Sequence, residues 1–182
     1  MIKNLSIIYP IFNEEKRLFN IFIDIKKFNK KTYQINKEYI FVDDGSFDNS
    51  KQKINEFIKL NKSSKIKYKI ISYRVNKGKG FALKSGVLSA TKKWILTTDS
   101  DCSVSNFQIL KWINENHINK QNMIYFASRN HPFSKVKKIK SREIIGAIFR
   151  FAIFLIFNIK ISDTQCGFKL YRAHIAKKIF SK

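Results

Sequence analysis

Two aspartates, Asp99 and Asp101, flank Ser100 directly after an apolar, strand-like segment at residues 94–98. Two carboxylates at this spacing on a turn can face one cation. Hard oxygen ligands suit Mg²⁺ or Mn²⁺, which proteins often hold with one or two carboxylates plus substrate phosphates. A cation held there would neutralise the negative charge that develops on a departing diphosphate. The triplet alone does not decide the matter, because a polar turn that caps the next helix has the same composition.

A second acidic pair, Asp43 and Asp44, follows the apolar run at residues 39–42 and precedes Gly45. A carboxylate at such a strand end can accept hydrogen bonds from a nucleobase N–H or a ribose hydroxyl, and glycine permits a tight turn after it. An ordinary Asp-Gly turn is the alternative. Against that alternative, the chain has only 13 acidic residues, and four of them form these two aspartate pairs.

Two glycine-containing segments carry further chemistry. The first, Asn76-Lys77-Gly78-Lys79-Gly80, precedes a helix-like stretch. Its glycines would let the backbone approach a ligand, while the helix N-terminus and the lysines would attract an anion. It is not a P-loop, because the Gly-Lys-Ser/Thr spacing is absent. The second, Asp163-Thr164-Gln165-Cys166-Gly167-Phe168-Lys169, is a polar loop that can return to the same site.

Strand-like and helix-like segments alternate before these motifs and between them. Apolar runs predict strands at residues 5–9, 39–42, 66–73, 94–98 and 123–127. Helical patterns predict helices at residues 14–28, after Asp48, from Gly80 to about residue 90, and at 105–118. This order predicts an α/β, Rossmann-like fold with a mostly parallel sheet flanked by helices. Because the carboxyl ends of the strands form the ligand crevice in such sheets, the polar motifs should share one site.

The charge of the chain is unusual, with 36 Lys and Arg against 13 Asp and Glu and a formal net charge of +23. Such a field favours polyanions, namely nucleic acid, an anionic membrane surface or phosphorylated substrates. The densest basic run, at residues 135–142, is a solvated loop or a membrane-facing one. The most apolar segment, at residues 144–161, is too short in its uninterrupted part to span a bilayer. It is either a buried core helix or an interfacial helix beside anionic lipid.

The two cysteines, Cys102 and Cys166, lack the CxxC spacing of a zinc site. So few cysteines favour a reducing, cytosolic setting, and a disulfide between the two stays open. The N-terminus leads directly into a strand-like run without the long apolar stretch of a signal peptide, so no signal peptide is expected.

Six segments, taken in order, resemble those of family 2 glycosyltransferases with the GT-A fold. Within that family the chain is most similar to dolichyl-phosphate glucosyltransferases and their bacterial polyprenyl-phosphate relatives. The segments are Ile8-Tyr9-Pro10-Ile11-Phe12-Asn13-Glu14-Glu15, Val42-Asp43-Asp44-Gly45-Ser46, Asn76-Lys77-Gly78-Lys79-Gly80, Thr98-Asp99-Ser100-Asp101, Ser128-Arg129 and Asp163-Thr164-Gln165-Cys166-Gly167-Phe168-Lys169. The first four indicate the family, and the last narrows it toward lipid-phosphate acceptors.

The resemblance implies a role for each matching residue. The residues assigned to the nucleotide-sugar are Pro10, Asn13, Glu14, Asp43, Asp44, Gly45, Ser46, Lys79 and Asp99. Among them, Lys79 would lie near the diphosphate. Asp99 and Asp101 would hold the metal, and the residues assigned to catalysis are Asp101 and Asp163. The residues assigned to the acceptor are Arg129, Arg142 and Gln165.

The activity that the resemblance implies is inverting transfer of a hexose, most simply glucose, to polyprenyl or dolichyl phosphate. The donor would be a UDP-sugar, with a GDP-sugar as second choice, and Mg²⁺ or Mn²⁺ the cofactor. Residues 1–182 would form one catalytic domain, in which 1–130 bind the nucleotide-sugar and 131–182 form an acceptor-side, membrane-interfacial half. That half is expected to be shortened, because the usual C-terminal extension of the family is missing.

The expected location is the cytoplasmic face of a membrane, as a peripheral protein on an anionic surface, with an integral-membrane partner also considered. No nucleic-acid partner is expected. Three alternatives stay open. The acceptor could be a glycan hydroxyl in cell-surface polysaccharide synthesis, with Asp163 as the base, or the chain could be a shortened, inactive homologue. A basic nucleic-acid-binding module would explain the charge of +23 but not the acidic residues at strand ends.

Overall fold

The computed structural model describes residues 2–62, 65–119, 123–128, 163 and 166–182. The basic run 135–142, the apolar segment 144–161 and the predicted acceptor residues Arg129, Arg142 and Gln165 lie outside the described residues. The chain divides into two compact units. One unit consists of Met1–Tyr125 and Phe168–Lys182, and the other is Phe126–Gly167.

Six strands and five helices are formed by the described part of the chain. The strands are β1 Asn4–Ile11, β2 Asn36–Asp43, β3 Ile66–Ser72, β4 Trp94–Thr97, β5 Ile124–Phe126 and β6 Lys169–Arg172. The helices are α1 Leu18–Lys31, α2 Ser50–Leu60, α3 Lys79–Ser89, α4 Gln108–Asn114 and α5 Ala173–Phe180. All five predicted strands and four predicted helices are therefore present, and β6 and α5 are additional.

The strands form one sheet in the order β3-β2-β1-β4-β6-β5. The pairs β2–β3, β1–β2 and β1–β4 are parallel, whereas β6 runs antiparallel to β4. The prediction of an α/β fold with a mostly parallel sheet is confirmed. The sequence did not reveal β6, because a basic residue at each end leaves only two apolar residues, Leu170 and Tyr171, as its pattern.

The burial of each strand follows from its place in the sheet. In the central strands β1 and β2, seven of eight residues are buried, as expected when helices cover both faces of a parallel sheet. The edge strand β3 instead alternates, and Lys67 and Lys69 are exposed along it. Charged side chains on an edge strand discourage pairing with other chains. The apolar runs of β1 and β2 therefore form the rigid centre of the fold.

Helix α3 packs against the sheet, and its first residue lies at the polar edge of that sheet. Ala82 and Val87 of α3 belong to the same buried cluster as Ile8 of β1 and Val42 of β2. The chain enters α3 from the end of β3, so the first residue of the helix, Lys79, lies at the carboxyl edge of the parallel strands. Within the described ranges, no helix has both the length and the apolar composition needed to cross a bilayer.

Candidate functional site

A cavity of about 460 Å³ opens at the carboxyl ends of β1, β2 and β4, entirely within the first unit. Its walls come from the loops that follow these strands and from the start of α3. The lining residues are Pro10, Ile11, Phe12, Glu14, Arg17, Asp44, Asn76, Gly78, Lys79, Ala82, Asp99, Ser100 and Asp101. Six residues that the sequence assigned to the donor or the metal are therefore brought together: Pro10, Glu14, Asp44, Lys79, Asp99 and Asp101.

The loop after β4, residues 99–103 and here called the β4 loop, presents its carboxylates to the cavity. Asp99 Oδ1 lies 2.6 Å from Lys79 Nζ, across the space between β4 and α3. Asp101 is exposed, and its Oδ1 accepts a hydrogen bond from the backbone N–H of Ser103 at 2.9 Å. Both residues line the cavity, Asp101 is exposed and the side chain of Asp99 is 27% exposed, so an added ligand can reach them.

Glu14 connects the β4 loop to the loop after β1. Its Oε1 accepts a hydrogen bond from Ser100 Oγ at 2.8 Å, and both its oxygens lie 3.3 Å from Arg17 Nη1. The backbone N–H of Glu14 in turn donates to Ser50 Oγ at the start of α2. The carboxylate that the sequence assigned to the nucleoside therefore also holds the serine between the two β4-loop aspartates.

The loop after β2, residues 43–46 and here called the β2 loop, is built differently. Asp43 is only 2% exposed and does not line the cavity. Its Oδ1 accepts from the Ser46 N–H at 3.0 Å, and its Oδ2 accepts from Ser72 Oγ at 2.8 Å. In this structure Asp43 therefore ties β2 to its own loop and to the end of β3.

Asp44 is the β2-loop residue that reaches the cavity. It is also 2% exposed, and its Oδ1 accepts from the backbone N–H of Lys77 at 2.9 Å. Its carbonyl oxygen accepts from Asn76 Nδ2 at 3.2 Å. These bonds fasten the glycine-containing segment before α3 to the end of β2.

Gly45 is required by this contact between the β2 loop and the segment before α3. Its φ is +76°, and a Cβ atom there would lie 2.7 Å from the backbone nitrogen of Asn76. Because the clash is with backbone, no rotation of a side chain could relieve it. The sequence prediction of a tight turn at Gly45 is correct, and the close approach of a second loop is the stronger reason for glycine.

Asn13 and Ser46 do not line the cavity, but their hydrogen bonds hold the neighbouring loops together. Asn13 has a φ of +54°, its N–H donates to Ser46 Oγ, and its Oδ1 accepts from the Phe47 N–H at 3.0 Å. Asparagine tolerates this left-handed backbone better than most residues. Asn13, Asp43, Gly45 and Ser46, all assigned to the donor from sequence, thus form the frame that shapes the loops.

Arg17 and Phe12 line the cavity, although the sequence interpretation assigned no role to either of them. Arg17 lies one turn after Glu14 and its side chain is 61% exposed, so its guanidinium is available to an anion. Phe12 is 42% exposed and its ring lies edge-on to that of Phe47 with centroids 6.1 Å apart. Arg17 falls three residues after Glu14, a helical spacing that could have indicated a shared face.

Asp24 of α1 holds the far end of the segment that follows the β4 loop. Its carboxylate accepts from Ser105 Oγ and, at 3.0 Å, from the Asn106 N–H just before α4. Asn106 Nδ2 also contacts the Tyr9 hydroxyl at 2.6 Å. Complete burial raises the pKa of Tyr9 well above its ordinary value, so Tyr9 serves here as a neutral anchor. These long-range contacts of Asp24 and Asn106 could not be recognised from local sequence patterns.

Cys102 and Cys166 are both in the reduced, thiol form. Cys102 follows Asp101 with a φ of +52°, and burial, with help from Asp24 and Asp101, raises the pKa of its thiol to about 11. The group beside the β4-loop aspartates is therefore a neutral thiol near pH 7. Asp163 lies in the second unit, where it is 5% exposed and its Oδ1 accepts from the Cys166 N–H at 3.1 Å.

The donor atoms of the β4 loop fit a hard divalent cation that is completed by substrate oxygens. Asp99 and Asp101 supply carboxylate oxygens on one loop, as Mg²⁺ and Mn²⁺ prefer. Among the described residues, no group of three or more His, Cys, Asp or Glu side chains is arranged to hold a metal. Two carboxylates with phosphate oxygens from a ligand are thus the arrangement that the chemistry allows.

Solved structures of other proteins share the fold of this chain. A mannosyltransferase from Pyrobaculum calidifontis, in complex with GDP-Man and Mn²⁺, matches with a TM-score of 0.64 and 13% identity over 96% of this chain and 46% of that one. Mannosyl-3-phosphoglycerate synthase from Rubrobacter xylanophilus matches with a TM-score of 0.63 and 15% identity, over 94% and 54%. The fold is the GT-A fold of sugar-transferring enzymes, as the sequence predicted.

The chain belongs to glycosyl transferase family 2, whose model matches residues 6–180. Curated relatives named dolichyl-phosphate beta-glucosyltransferase include those of Dictyostelium discoideum, 32% identical over 97% of this chain and 56% of the relative, and of Homo sapiens, 31% identical over 98% and 58%. The family prediction is confirmed. The chain spans a little more than half the length of these relatives.

Proposed function

We propose that this chain transfers a hexose, most simply glucose, from a UDP-sugar to a polyprenyl or dolichyl phosphate with inversion at the anomeric carbon. The observation that carries the proposal is the cavity in which Asp44, Lys79, Asp99 and Asp101 meet at the carboxyl edge of the sheet. The relatives named dolichyl-phosphate beta-glucosyltransferase support this choice of sugar and acceptor, because they align with nearly all of the chain.

The nucleoside is assigned to the part of the cavity between the loops after β1 and β2. Asp44 is fixed there by Lys77 and Asn76, and one carboxylate oxygen remains for a ribose hydroxyl or a base N–H. Phe12 offers an aromatic face at the cavity wall, on which a base can stack. Pro10 adds an apolar surface beside it.

The diphosphate is assigned to the part between α3 and the β4 loop. Lys79 is the first residue of α3, so its ammonium and the free backbone N–H groups of the first helical turn present positive charge to the same space. Arg17 supplies a second cation from the opposite loop. In this arrangement the chain's own groups hold the donor so that its anomeric carbon faces the open side of the cavity.

Asp99 and Asp101 are the residues that would hold Mg²⁺ or Mn²⁺. When bound, such a cation would stabilise the charge of the leaving diphosphate. The Mn²⁺ and GDP-Man bound by the structurally similar mannosyltransferase support this assignment, since that protein shares the fold. The β4 loop places its carboxylates next to Lys79, where the diphosphate is proposed to bind.

Because the proposed acceptor is a phosphate, the reaction needs no strong base in the described cavity. A phosphate monoester has a second pKa of about 6, so its oxygens are largely deprotonated at neutral pH. One such oxygen forms a bond to the anomeric carbon while the bond between that carbon and the donor diphosphate breaks, and UDP departs with the electron pair. No proton has to be removed, so the enzyme mainly positions the reactants and stabilises charge.

The acceptor side of the reaction is assigned to residues 131–182 together with Arg129. Arg129 and Arg142 would bind the acceptor phosphate, and Asp163 and Gln165 would line that side. We also propose a peripheral location at the cytoplasmic face of a membrane, because a net charge of +23 is attracted to anionic lipid. An integral-membrane partner would fit the same location.

The experiment is a transfer assay with UDP-[¹⁴C]glucose, polyprenyl phosphate and Mn²⁺ or Mg²⁺, followed by extraction of labelled lipid. Labelled polyprenyl-phosphate-glucose is the expected product. A parallel reaction contains a sugar acceptor in place of the lipid, and equilibrium binding of UDP is measured on the same sample.

Each outcome of these measurements supports a different function for this chain. Faster transfer to the sugar than to the lipid phosphate would contradict the acceptor assignment. UDP binding without transfer to either acceptor would contradict the proposed activity and leave an inactive nucleotide-binding homologue. Absence of UDP binding, together with tight, salt-sensitive binding to duplex DNA, would support the nucleic-acid alternative.

A further inference from the structure

The ion pair between Lys79 and Asp99 joins two side chains that the proposed function assigns to different ligands. Lys79 Nζ lies 2.6 Å from Asp99 Oδ1 at the cavity wall. In the reaction proposed above, however, Asp99 binds the divalent cation and Lys79 binds the donor diphosphate. The structure instead pairs these two residues with each other.

The pair occupies the position where two cations would compete for one carboxylate. The Asp99 oxygen that accepts the ammonium is a hard oxygen ligand on the β4 loop, the loop assigned to Mg²⁺ or Mn²⁺. The charge-assisted hydrogen bond occupies one of the acceptor sites of the carboxylate, and the positive charge of the ammonium repels a second cation that approaches the same group. A lysine side chain with several rotatable bonds can leave that position, since the side chain is more than half exposed.

We propose that Lys79 is the resident cation of Asp99 in the ligand-free protein and that it moves to the donor diphosphate when a divalent cation takes Asp99. The inference rests on the proposed function, because it takes the nucleotide-sugar and the metal as the ligands of this cavity. It assigns Lys79 two opposite effects. Lys79 weakens metal binding to the free protein, and it strengthens nucleotide binding to the metal-loaded protein.

The strength of the pair allows this exchange. Side chains of both partners are partly exposed, 56% for Lys79 and 27% for Asp99, and exposed pairs are weak. A cation with twice the charge can therefore displace the ammonium. Meanwhile Ser100 remains bound to Glu14 at 2.8 Å, so the β4 loop keeps its place while only the lysine side chain moves.

The exchange also links the two binding events thermodynamically. If the metal releases Lys79 and the released ammonium binds the diphosphate, each ligand raises the affinity for the other by the same factor. The lysine is then a positioning residue that makes the protein favour the nucleotide and the metal together over either one alone.

The test measures two affinities in the full chain and in Lys79→Met. Binding of Mn²⁺ without nucleotide is followed by the loss of its free-ion electron paramagnetic resonance signal, and binding of UDP at saturating Mn²⁺ is followed by calorimetry. We expect Lys79→Met to bind Mn²⁺ about threefold to fivefold more tightly, which is the size of effect that an exposed ion pair has. UDP binding should become about tenfold weaker, as expected on losing a charged hydrogen bond.

Two further variants separate this exchange from general electrostatics. Lys84→Met removes one positive charge from the same helix, where Lys84 Nζ contacts the carbonyl oxygen of Lys182 rather than the cavity. It should leave both affinities within about twofold of the parent value, because an exposed charge outside the cavity is screened. Lys79→Arg keeps the charge and should restore UDP affinity in large part.

The two possible failures can be told apart. If the parent chain binds both Mn²⁺ and UDP but Lys79→Met leaves Mn²⁺ affinity unchanged or lowers it, the exchange is wrong and the proposed function stands. An equal gain in Mn²⁺ affinity for Lys79→Met and Lys84→Met would likewise overturn the exchange, since only net charge would matter. If the parent chain binds neither ligand, the proposed function fails, and the inference fails with it.

Discussion

The β2 loop and the β4 loop lie at the same edge of the sheet and each carries two aspartates, yet their environments are opposite. Asp43 and Asp44 are 2% exposed, and both carboxylates accept hydrogen bonds from neighbouring segments of the fold. Asp101 is exposed and is bound only within its own loop among the described contacts, while Asp99 is paired with a lysine side chain. Burial thus makes the β2-loop pair part of the framework, with Asp44 also reaching the cavity, and leaves the β4-loop pair to ligands.

The comparison is tested most directly by replacing Asp101 with alanine. We expect glucose transfer to fall at least about 100-fold, because a charge-stabilising group at the leaving diphosphate is lost. The free energy of unfolding, measured with urea, should change by less than about 1 kcal/mol, since only an exposed hydrogen bond to Ser103 disappears. Transfer that continues undiminished would rule out the metal role of Asp101.

The same substitution at Asp43 should act on stability instead. Asp43→Ala leaves the Ser46 N–H and the Ser72 hydroxyl without their acceptor, at a cost of about 2–4 kcal/mol for two lost partners at a buried site. Urea unfolding of Asp43→Ala and Asp101→Ala side by side measures the difference. If Asp101→Ala proved the less stable of the two, the division into framework and ligand loops would be wrong.

Gly45 and Gly78 allow a matched test of the frame. Gly45→Ala should lower the free energy of unfolding by about 2–3 kcal/mol, because a strained φ is combined with a clash against the backbone at Asn76. Gly78 also has a positive φ, +89°, but a Cβ there meets nothing within 4 Å. Gly78→Ala should therefore cost only about 1–2 kcal/mol, the strain of an alanine at this φ with ψ 154° and no clash. Equal losses in thermal or urea unfolding would show that the close approach at Gly45 is unimportant.

Lys37, at the opposite end of β2, extends the comparison to a buried charge far from the ligand loops. It is 1% exposed and donates to the carbonyl oxygens of Thr32 and Ile35, and burial lowers its pKa from 10.5 to about 8. Between these values the unfolded chain holds more protons than the folded chain, so stability rises with pH. From pH 7 to 9.5 the gain from this group is about 2 kcal/mol.

Lys37→Met provides the control for that pH dependence. The variant loses the hydrogen bonds to Thr32 and Ile35 at every pH, and it has no buried ammonium whose charge burial penalises. The additional rise between pH 7 and 9.5 should be absent, and urea unfolding across this range measures it. A parent chain and a variant with parallel pH profiles would show that Lys37 titrates normally.

The smallest effect is expected at Ser100, which connects the β4 loop to Glu14 in the loop after β1. Ser100→Ala removes the hydroxyl that donates to Glu14 and should weaken Mn²⁺ binding about threefold to fivefold, since one ordinary hydrogen bond positions the β4 loop. Ser100→Thr retains a hydroxyl and should remain near the parent value. Mn²⁺ titration of the three proteins gives the answer, and an effect of Ser100→Thr as large as that of Ser100→Ala would argue for crowding instead.

Much of the fold was predictable because its elements carry strong local patterns. The apolar runs in β1 and β2 and the helical stripe Leu18, Ile21, Ile25 and Phe28 in α1 are visible without any structure. Helix α1 begins at Leu18 rather than at the predicted Glu14, whose carbonyl oxygen closes a preceding turn. Asp48, which precedes α2, accepts from the Ser50 N–H at the start of that helix, but the residue at its N-cap position is Asn49.

The sequence by itself determined the family, the order of the elements and the strand ends at which the acidic pairs occur, since residue type, spacing and periodicity are local properties. Only the tertiary structure decided which acids face the cavity. Burial and hydrogen bonding depend on segments far apart in sequence, such as Ser72 beside Asp43, Glu14 beside Ser100 and Lys79 beside Asp99. The difference between the buried pair in the β2 loop and the accessible pair in the β4 loop is for that reason a property of the fold.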